Sequence, residues 1–258
     1  MLLLYFVACM RSALHSTLLV GLLGFCSCAR AEWVATLYTG DSHTYATPLT
    51  VIQPGTQTDV TFSPVSWAPH PLGHGAPYYG IRISYFPSVV SRVGVTFDFT
   101  HYKMYAETEE PTTLRGEWNG KPIDAYTPVA TGIQSLEIAH GVNLTSLNGQ
   151  YRWNPNFADG PWQTHVGAGL VAYVPHSDGI IDGVGVDEGY QYGGMGGQIF
   201  GGAEWGPPAR WQPQSLRWTL LVESKLDSGN LDIHLDPDTR IETRVTTLHI
   251  IGGVSLHF

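Results

Sequence analysis

The chain is 258 residues long, with a formal net charge of −9, 12% aromatic residues and only 14% charged ones. So few Lys and Arg in an acidic chain exclude a nucleic-acid-binding protein. All three cysteines (Cys9, Cys26, Cys28) fall in the first 28 residues, which excludes a disulfide-built secreted domain, and no segment reads as a transmembrane helix.

Residues 1–31 read as an export signal. Arg11 supplies the positive charge, Leu14 to Phe25 the apolar run, and Ala29-Arg30-Ala31 the small-residue site, so cleavage is expected before Glu32. The segment from Met10 alone also makes a complete signal. Neither Cys26 nor Cys28 is preceded by leucine with two small residues between, as a lipoprotein signal requires. Cleavage removes two arginines and no acid, so the net charge moves from −9 to −11, and the 227 residues that remain, 32–258, are expected to form one domain.

Eight segments then alternate with a period of two: Trp33 to Gly40, Tyr78 to Phe86, Val93 to Ala106, His140 to Trp153, Trp162 to Val174, Tyr190 to Trp205, Leu216 to Leu226 and Arg244 to Phe258. Most have the length a tilted strand needs to cross a bilayer. The connections at 87–92, 154–161 and 206–215 are short; those at 41–77, 107–139, 175–189 and 227–243 are long. Strict alternation of short and long predicts an all-β fold, an eight-stranded antiparallel transmembrane β-barrel with short periplasmic turns and longer outer loops. The last strand places Leu248, Ile250, Gly252, Val254, Leu256 and Phe258 on one face, a pattern similar to the C-terminal signal read by the machinery that assembles outer-membrane barrels.

The third segment sets the phase. Val93, Val95, Phe97 and Phe99 share one face, and Gly94, Thr96, Asp98 and Thr100 the other. If the apolar face meets lipid, the other phase lines the lumen with Arg82, Asp98, Asn148, Arg152, Gln198, Glu204, Arg217, Glu223 and Lys225. A barrel of eight strands is just wide enough for side chains to fill it, so these charges are expected to pair into a plugged interior. Glu223 is expected to neutralise Lys225 or Arg152. His249 and His257 fall in the same phase as structural residues, and Tyr102, Tyr190 and Tyr192 are expected to close the top of the lumen. Of the 22 acids, 17 lie in the four long connections, against three bases there (Arg115, Lys121, Arg240), which reads as an acidic, solvated surface or as a site for bridging divalent cations.

The phase that carries the phenylalanines outward also carries His101 and Lys103 outward. In the next two strands it does the same for Asn143 and His176. Four polar side chains therefore share the outer wall of three consecutive strands at headgroup level. Strands three and five lie two spacings apart, about 9.6 Å, and two imidazoles leaning together could bind one metal at about 2.0–2.1 Å each. Lysine and histidine at a bilayer edge also snorkel to headgroups without doing chemistry. His43, His70, His74 and His140 lie in or beside the connections and could add a ligand.

PYYGIRISYF (Pro77 to Phe86), GVTFDFTHYKMYAE (Gly94 to Glu107), LEIAHGVNLTSLNGQYRW (Leu136 to Trp153) and VGAGLVAYVPHS (Val166 to Ser177) resemble segments of the lipid A oxidase family of outer-membrane barrels, as do YQYGG (Tyr190 to Gly194), Glu223-Ser224-Lys225 and the closing strand. The His- and Pro-rich stretch at 41–76 departs from the family's first loop. The resemblance implies oxygen-dependent oxidation of the proximal glucosamine of lipid A to 2-aminogluconate in the outer leaflet, with peroxide as the other product. A two-electron oxidation by oxygen calls for a metal or organic cofactor, so a divalent or redox metal on His101 and His176 is expected, with molecular oxygen as co-substrate. Lys103 and Asn143 would then orient the sugar or a phosphate; alternatively His101 is a general base for a sugar hydroxyl. Lipopolysaccharide, the outer membrane and the assembly machinery are the expected partners of a monomer. Two other readings stand beside it: a non-catalytic barrel anchored in lipopolysaccharide, and a hydrolase of lipid A acyl chains, for which no serine shares the outward phase close to His101 on its strand.

Overall fold

A computed structural model describes residues 31–69, 78–138, 141–207 and 216–258. The export segment 1–30, His70, His74, His140 and most of the expected turn at 206–215 lie outside the described residues.

Among the described residues there are seventeen strands, β1 to β17 in chain order, where eight were expected. Eight of them pair side by side: β1 (Glu32–Thr44), β5 (Tyr79–Phe86), β6 (Val93–His101), β11 (Val142–Arg152), β12 (Trp162–Pro175), β15 (Gly194–Trp205), β16 (Arg217–Asp236) and β17 (Thr239–His257). Strand β1 is hydrogen-bonded on both sides, to β5 from Glu32↔Phe86 to Thr39↔Tyr79 and to β17 from Val34↔His257 to Thr44↔Thr247. Those two ladders bring the first and last strands together, so this eight-strand wall returns on itself.

Of the other nine strands, eight occupy stretches expected as open connections and one, β7, takes the end of the expected third segment; all lie at one end. Four extend the sheet from β17: β2 (Thr47–Gln53), β3 (Thr58–Val65), β8 (Pro111–Trp118) and β9 (Lys121–Pro128). Five make a second sheet in the order β14 (Val184–Glu188), β13 (Ser177–Ile181), β10 (Ile133–Ile138), β7 (Met104–Ala106) and β4 (Trp67–Pro69). Leu49, Phe62, Leu114, Ile133, Leu136 and Ile233 belong to one buried apolar cluster shared by the two sheets. The connections are therefore the strands of a packed cap and not open loops, and most of their described acids lie on its exposed face.

Strand β16 explains why the cap was misread. Its odd residues face inward and its even residues outward along all 20 positions. In the lower half the inward set is Glu223, Lys225 and Asp227, and the outward set is Leu220, Val222 and Leu226. Above Asp227 the inward set becomes Leu231, Ile233 and Leu235, and the outward set Ser228, Asn230 and Asp232. The phase never changes, but the polarity inverts. Strand β17 does the same: Ile250, Val254 and Leu256 face out below, Arg240, Glu242 and Arg244 above. The apparent ends of the expected strands at Leu226 and Arg244 were this inversion.

The barrel interior is filled by ion pairs, as the phase predicted, though with different partners. Glu223 holds Arg82, with both guanidinium nitrogens donating at 2.6 Å, and lies 2.7 Å from His165 Nε2. Lys225 donates to Asp98 at 2.8 Å and to Thr100 at 2.9 Å, while Arg152 pairs with Glu32 at 2.6 Å. Neither Lys225 nor Arg152 is the partner of Glu223. The reason is that inward side chains reach across the lumen to non-adjacent strands, which sequence order cannot reveal. Asn148 and Gln198 join each other in the same interior at 2.8 Å, and Arg217 reaches Glu32 from the rim at 2.9 Å. His257 sits 3.0 Å from both Glu204 and Glu32, and His249 lies 2.6 Å from Asp227. Tyr102 is buried beneath the cap, but Tyr190 and Tyr192 are exposed, because the cap sheets close this end and leave those two rings outside.

Candidate functional site on the outer wall

Strands β6, β11 and β12 carry the three ladders that place the expected site. Thr100 faces Leu144, and Asn143 faces Val174. Above this level β6 gives way to β7, β10 precedes β11, and β12 gives way to β13, so all three strands break at one height. Between Ile138 and Leu144 the middle strand has five residues, where its neighbour has three between Thr100 and Met104. Against the other neighbour it has four between Glu137 and Val142, facing two between Pro175 and Asp178. The chain from β10 to β11 is therefore two residues longer at this height than the chain beside it on either hand.

This height is also where the polarity inverts on this wall. Outward positions run Val93, Val95, Phe97, Phe99 and then His101; inward ones run from Ser146 and Asn148 to Leu144 and Val142. The four expected residues therefore sit on the boundary between the two surfaces.

The structure joins two of them directly. His101 Nδ1 lies 2.8 Å from Asn143 Oδ1, and Asn143 Nδ2 donates to the carbonyl oxygen of Val174 at 3.2 Å. The Val174 carbonyl can only accept, so it fixes the amide with its nitrogen toward β12 and its oxygen toward His101. A carbonyl oxygen cannot donate either, so the hydrogen between them is on His101 Nδ1. In the neutral ring the other nitrogen, Nε2, is then the one with the lone pair. It is buried and has no hydrogen-bond partner among the described residues. A buried polar atom left unpaired costs about 1–3 kcal/mol, and such atoms call for an explanation.

The ring is held on its remaining sides. Tyr79, the cross-strand partner of His101, stacks on it at 4.7 Å and 20° between planes. Gly141, at φ +113°, lies beneath, and a Cβ there would collide with His101 Cε1. Any other residue at 141 would push the imidazole off the strand as well as strain the backbone. His101 is consequently only 5% exposed, although its phase points outward.

His176 and Lys103 stand further out. The His176 backbone N–H donates to the Gly141 carbonyl at 3.2 Å, and its ring meets Tyr190 edge-on at 4.9 Å. Lys103 is half-buried two residues beyond His101. Among the described residues no group of three or more His, Cys, Asp or Glu side chains gathers to hold a metal. Of the expected donors, His101 Nε2 is the prepared nitrogen, and Asn143 is engaged with His101 and the backbone.

Sequence reasoning missed Tyr79 and Gly141. Tyr79 stood second in its expected strand and in the outward phase, but nothing in the sequence paired it with His101. Gly141 was legible only as a glycine at the start of the expected fourth segment, and a glycine within a strand is a known mark of a bulge or a close approach.

No family model matches the chain, and no curated protein matches it. Among solved structures, the outer membrane protein OprG from Pseudomonas aeruginosa aligns over 89% of this chain and 97% of its own, at 9% identity and a TM-score of 0.46. Neisserial surface protein A aligns over 88% and 97%, at 10% identity and a TM-score of 0.39. The N-terminal β-barrel domain of Pseudomonas aeruginosa OprF aligns over 89% and 98%, at 13% identity and a TM-score of 0.34. With scores this low the fold rests on the strand ladders themselves.

Proposed function

We propose that the chain is an outer-membrane barrel enzyme of lipid A oxidase type, acting on the lipid that surrounds it. The observation that carries this reading is His101: an imidazole whose Nδ1 is held by Asn143 and whose Nε2 has no partner among the described residues, on the outer wall, at the height where that wall changes from apolar to polar. Below that height lies a continuous outward surface of Ile81, Ile83, Val95, Phe97, Leu147, Leu170 and Val222, all exposed. Trp33, Tyr85, Trp153 and Trp162 ring its far end. An apolar band with an aromatic girdle is what a membrane barrel shows to lipid. The cap would then face outward among lipopolysaccharide headgroups, and the strand ending at Phe258 would engage the assembly machinery. The barrel leaves no free strand edge within the bilayer, so a monomer is sufficient.

The chemistry asked of the site is the loss of two electrons and two protons from the C1 hemiacetal of the proximal glucosamine. The C1–H and O1–H bonds break, oxygen takes the hydrogens as hydrogen peroxide, and water opens the resulting lactone to aminogluconate. His101 Nε2 is suited to accept the O1 proton, while Nδ1–H stays on Asn143. Lys103, on the same wall, supplies a positive charge for an anionic group of the lipid. The donors of the described residues do not make a metal-holding set, so His101 is assigned here as a base and no step is routed through a metal. A metal remains part of the proposal on the resemblance, and chelation tests it.

The assay is the mass of lipid A in a host without its own oxidase. Expression of the chain in air should add one oxygen's mass; anaerobic growth should abolish the change, and a chelator should do so if a metal takes part. An assembled barrel that leaves lipid A unaltered in air favours the second reading, a non-catalytic surface barrel, which the packed cap supports as a display platform. Orientation is tested separately. Residues 32–258 contain no cysteine, so single cysteines at Asn119 (cap) and Asp159 (opposite end) are clean reporters. A membrane-impermeant maleimide on intact cells should label the first and spare the second. The reverse pattern would turn the barrel over.

A further inference from the structure

We infer that Asn143, with Gly141 beneath the ring, is a positioning residue whose work is to fix the tautomer of His101. This deepens the reading above and rests on it for its functional arm only; the tautomer itself is a property of the folded chain. On sequence alone Asn143 reads as a group that touches the lipid. The geometry points to a different role. Its amide oxygen meets His101 Nδ1 at 2.8 Å and its amide nitrogen meets the Val174 carbonyl at 3.2 Å, so both ends are engaged within the protein.

The argument runs through three strands. The Val174 carbonyl on β12 orients the Asn143 amide on β11, and the amide orients the imidazole on β6. Each link has one polarity only, because a carbonyl oxygen accepts and an amide nitrogen donates. Tyr79 and Gly141 then confine the ring between an aromatic face and a bare backbone. The result is a ring with its Nδ1 proton fixed, so that in the neutral form the bare nitrogen is Nε2, which has no competing partner among the described residues. A histidine that must bind or take a proton through Nε2 gains from such an arrangement, since the second ring nitrogen sets what the first can do. Asn143 contributes no atom to the reaction; it decides which atom of His101 is available.

The test uses the full barrel in detergent micelles with histidine labelled with nitrogen-15, the His101 signals being assigned by their loss in His101→Gln. In the wild type, the long-range nitrogen–proton spectrum should show His101 protonated on Nδ1 and bare on Nε2. Asn143→Leu, similar in size but without an acceptor, should lose that pattern and move the proton to Nε2 or to a mixture. Asn143→Asp keeps the acceptor and should keep the proton on Nδ1. In the lipid A assay Asn143→Leu should lower kcat by about 10–100-fold, the usual range for removing the group that orients a functional histidine, and leave KM unchanged; Asn143→Asp should recover part of kcat. Gly141→Ala should disturb the same His101 signals by displacing the ring and leaving the amide in place.

Wild-type His101 found with its proton on Nε2, or a pattern unmoved in Asn143→Leu, overturns the assignment whatever the activity. The expected pattern in a barrel that never alters lipid A upholds the positioning role and defeats the proposed function. A rise in KM with constant kcat in Asn143→Leu would make Asn143 a substrate contact and overturn the proposal.

Discussion

His101→Ala should abolish the change in lipid A mass while leaving a barrel that migrates as folded on unheated gels. The ring makes one side-chain hydrogen bond and one stacking contact, with Asn143 and Tyr79. Both partners lie on the outer wall, where losing them exposes Asn143 to headgroups rather than to a dry core. The stability cost should stay within the ordinary range for a single substitution, about 0.5–3 kcal/mol, well below what dissolves a barrel. His176→Ala is the informative companion. If His176 shares a metal with His101, the two variants fall equally. If His101 is a base acting alone, His176→Ala retains most of the activity. Tyr126→Ser, on an exposed strand of the cap, is the control and should behave as the wild type. Full activity in His101→Ala would remove the site from this wall.

Glu223→Ala should do the converse, lowering the temperature at which the barrel loses its compact gel mobility without touching the chemistry in barrels that assemble. Glu223 neutralises Arg82 through two short bonds and also contacts His165. Its removal leaves Arg82 with Asp98 alone, and Asp98 already serves Lys225. One carboxylate would then face two buried cations. Breaking a buried pair in this way costs about 3–5 kcal/mol. A double variant, Glu223→Gln with Arg82→Leu, removes the charge on both sides and should recover much of the loss, as apolar or neutral replacement of a complete pair often does. A transition unmoved by Glu223→Ala would mean that the interior is wetter than a packed barrel allows.

The barrel was legible because its signal is local. Alternation marks a strand, and the alternation of short and long connections marks the hairpins; both survive in a single sequence. The interior was half legible: phase told which residues face inward, but Glu223 finds Arg82 across the lumen, 141 positions away in sequence, and no local pattern carries that. The cap was hidden by its chemistry. Leu231, Ile233 and Leu235 alternate as cleanly as Leu220, Val222 and Leu226, but with the opposite face apolar. A reading tuned to lipid-facing strands stops where water begins. At the site, phase delivered His101, Asn143 and His176 to one wall, and failed to show that Tyr79 and Gly141 would hold the His101 ring down against its neighbours.

In the proposed membrane setting, the polarity change along β16 works as a draught line. That strand lies four places from β6 in the ring of eight, diametrically across the barrel from His101. Sliding the hairpin by two residues, about 6.6 Å, would keep every side chain on its proper face and yet draw Ser228 and Asn230 into hydrocarbon or lift Leu226 into water. The barrel can therefore ride at only one depth. On the proposed function, with the wall opposite pinned at that depth, the height of His101 above the acyl chains would be set before any lipid arrives, and a sugar borne at the right level by its own membrane would need only to drift sideways to meet it.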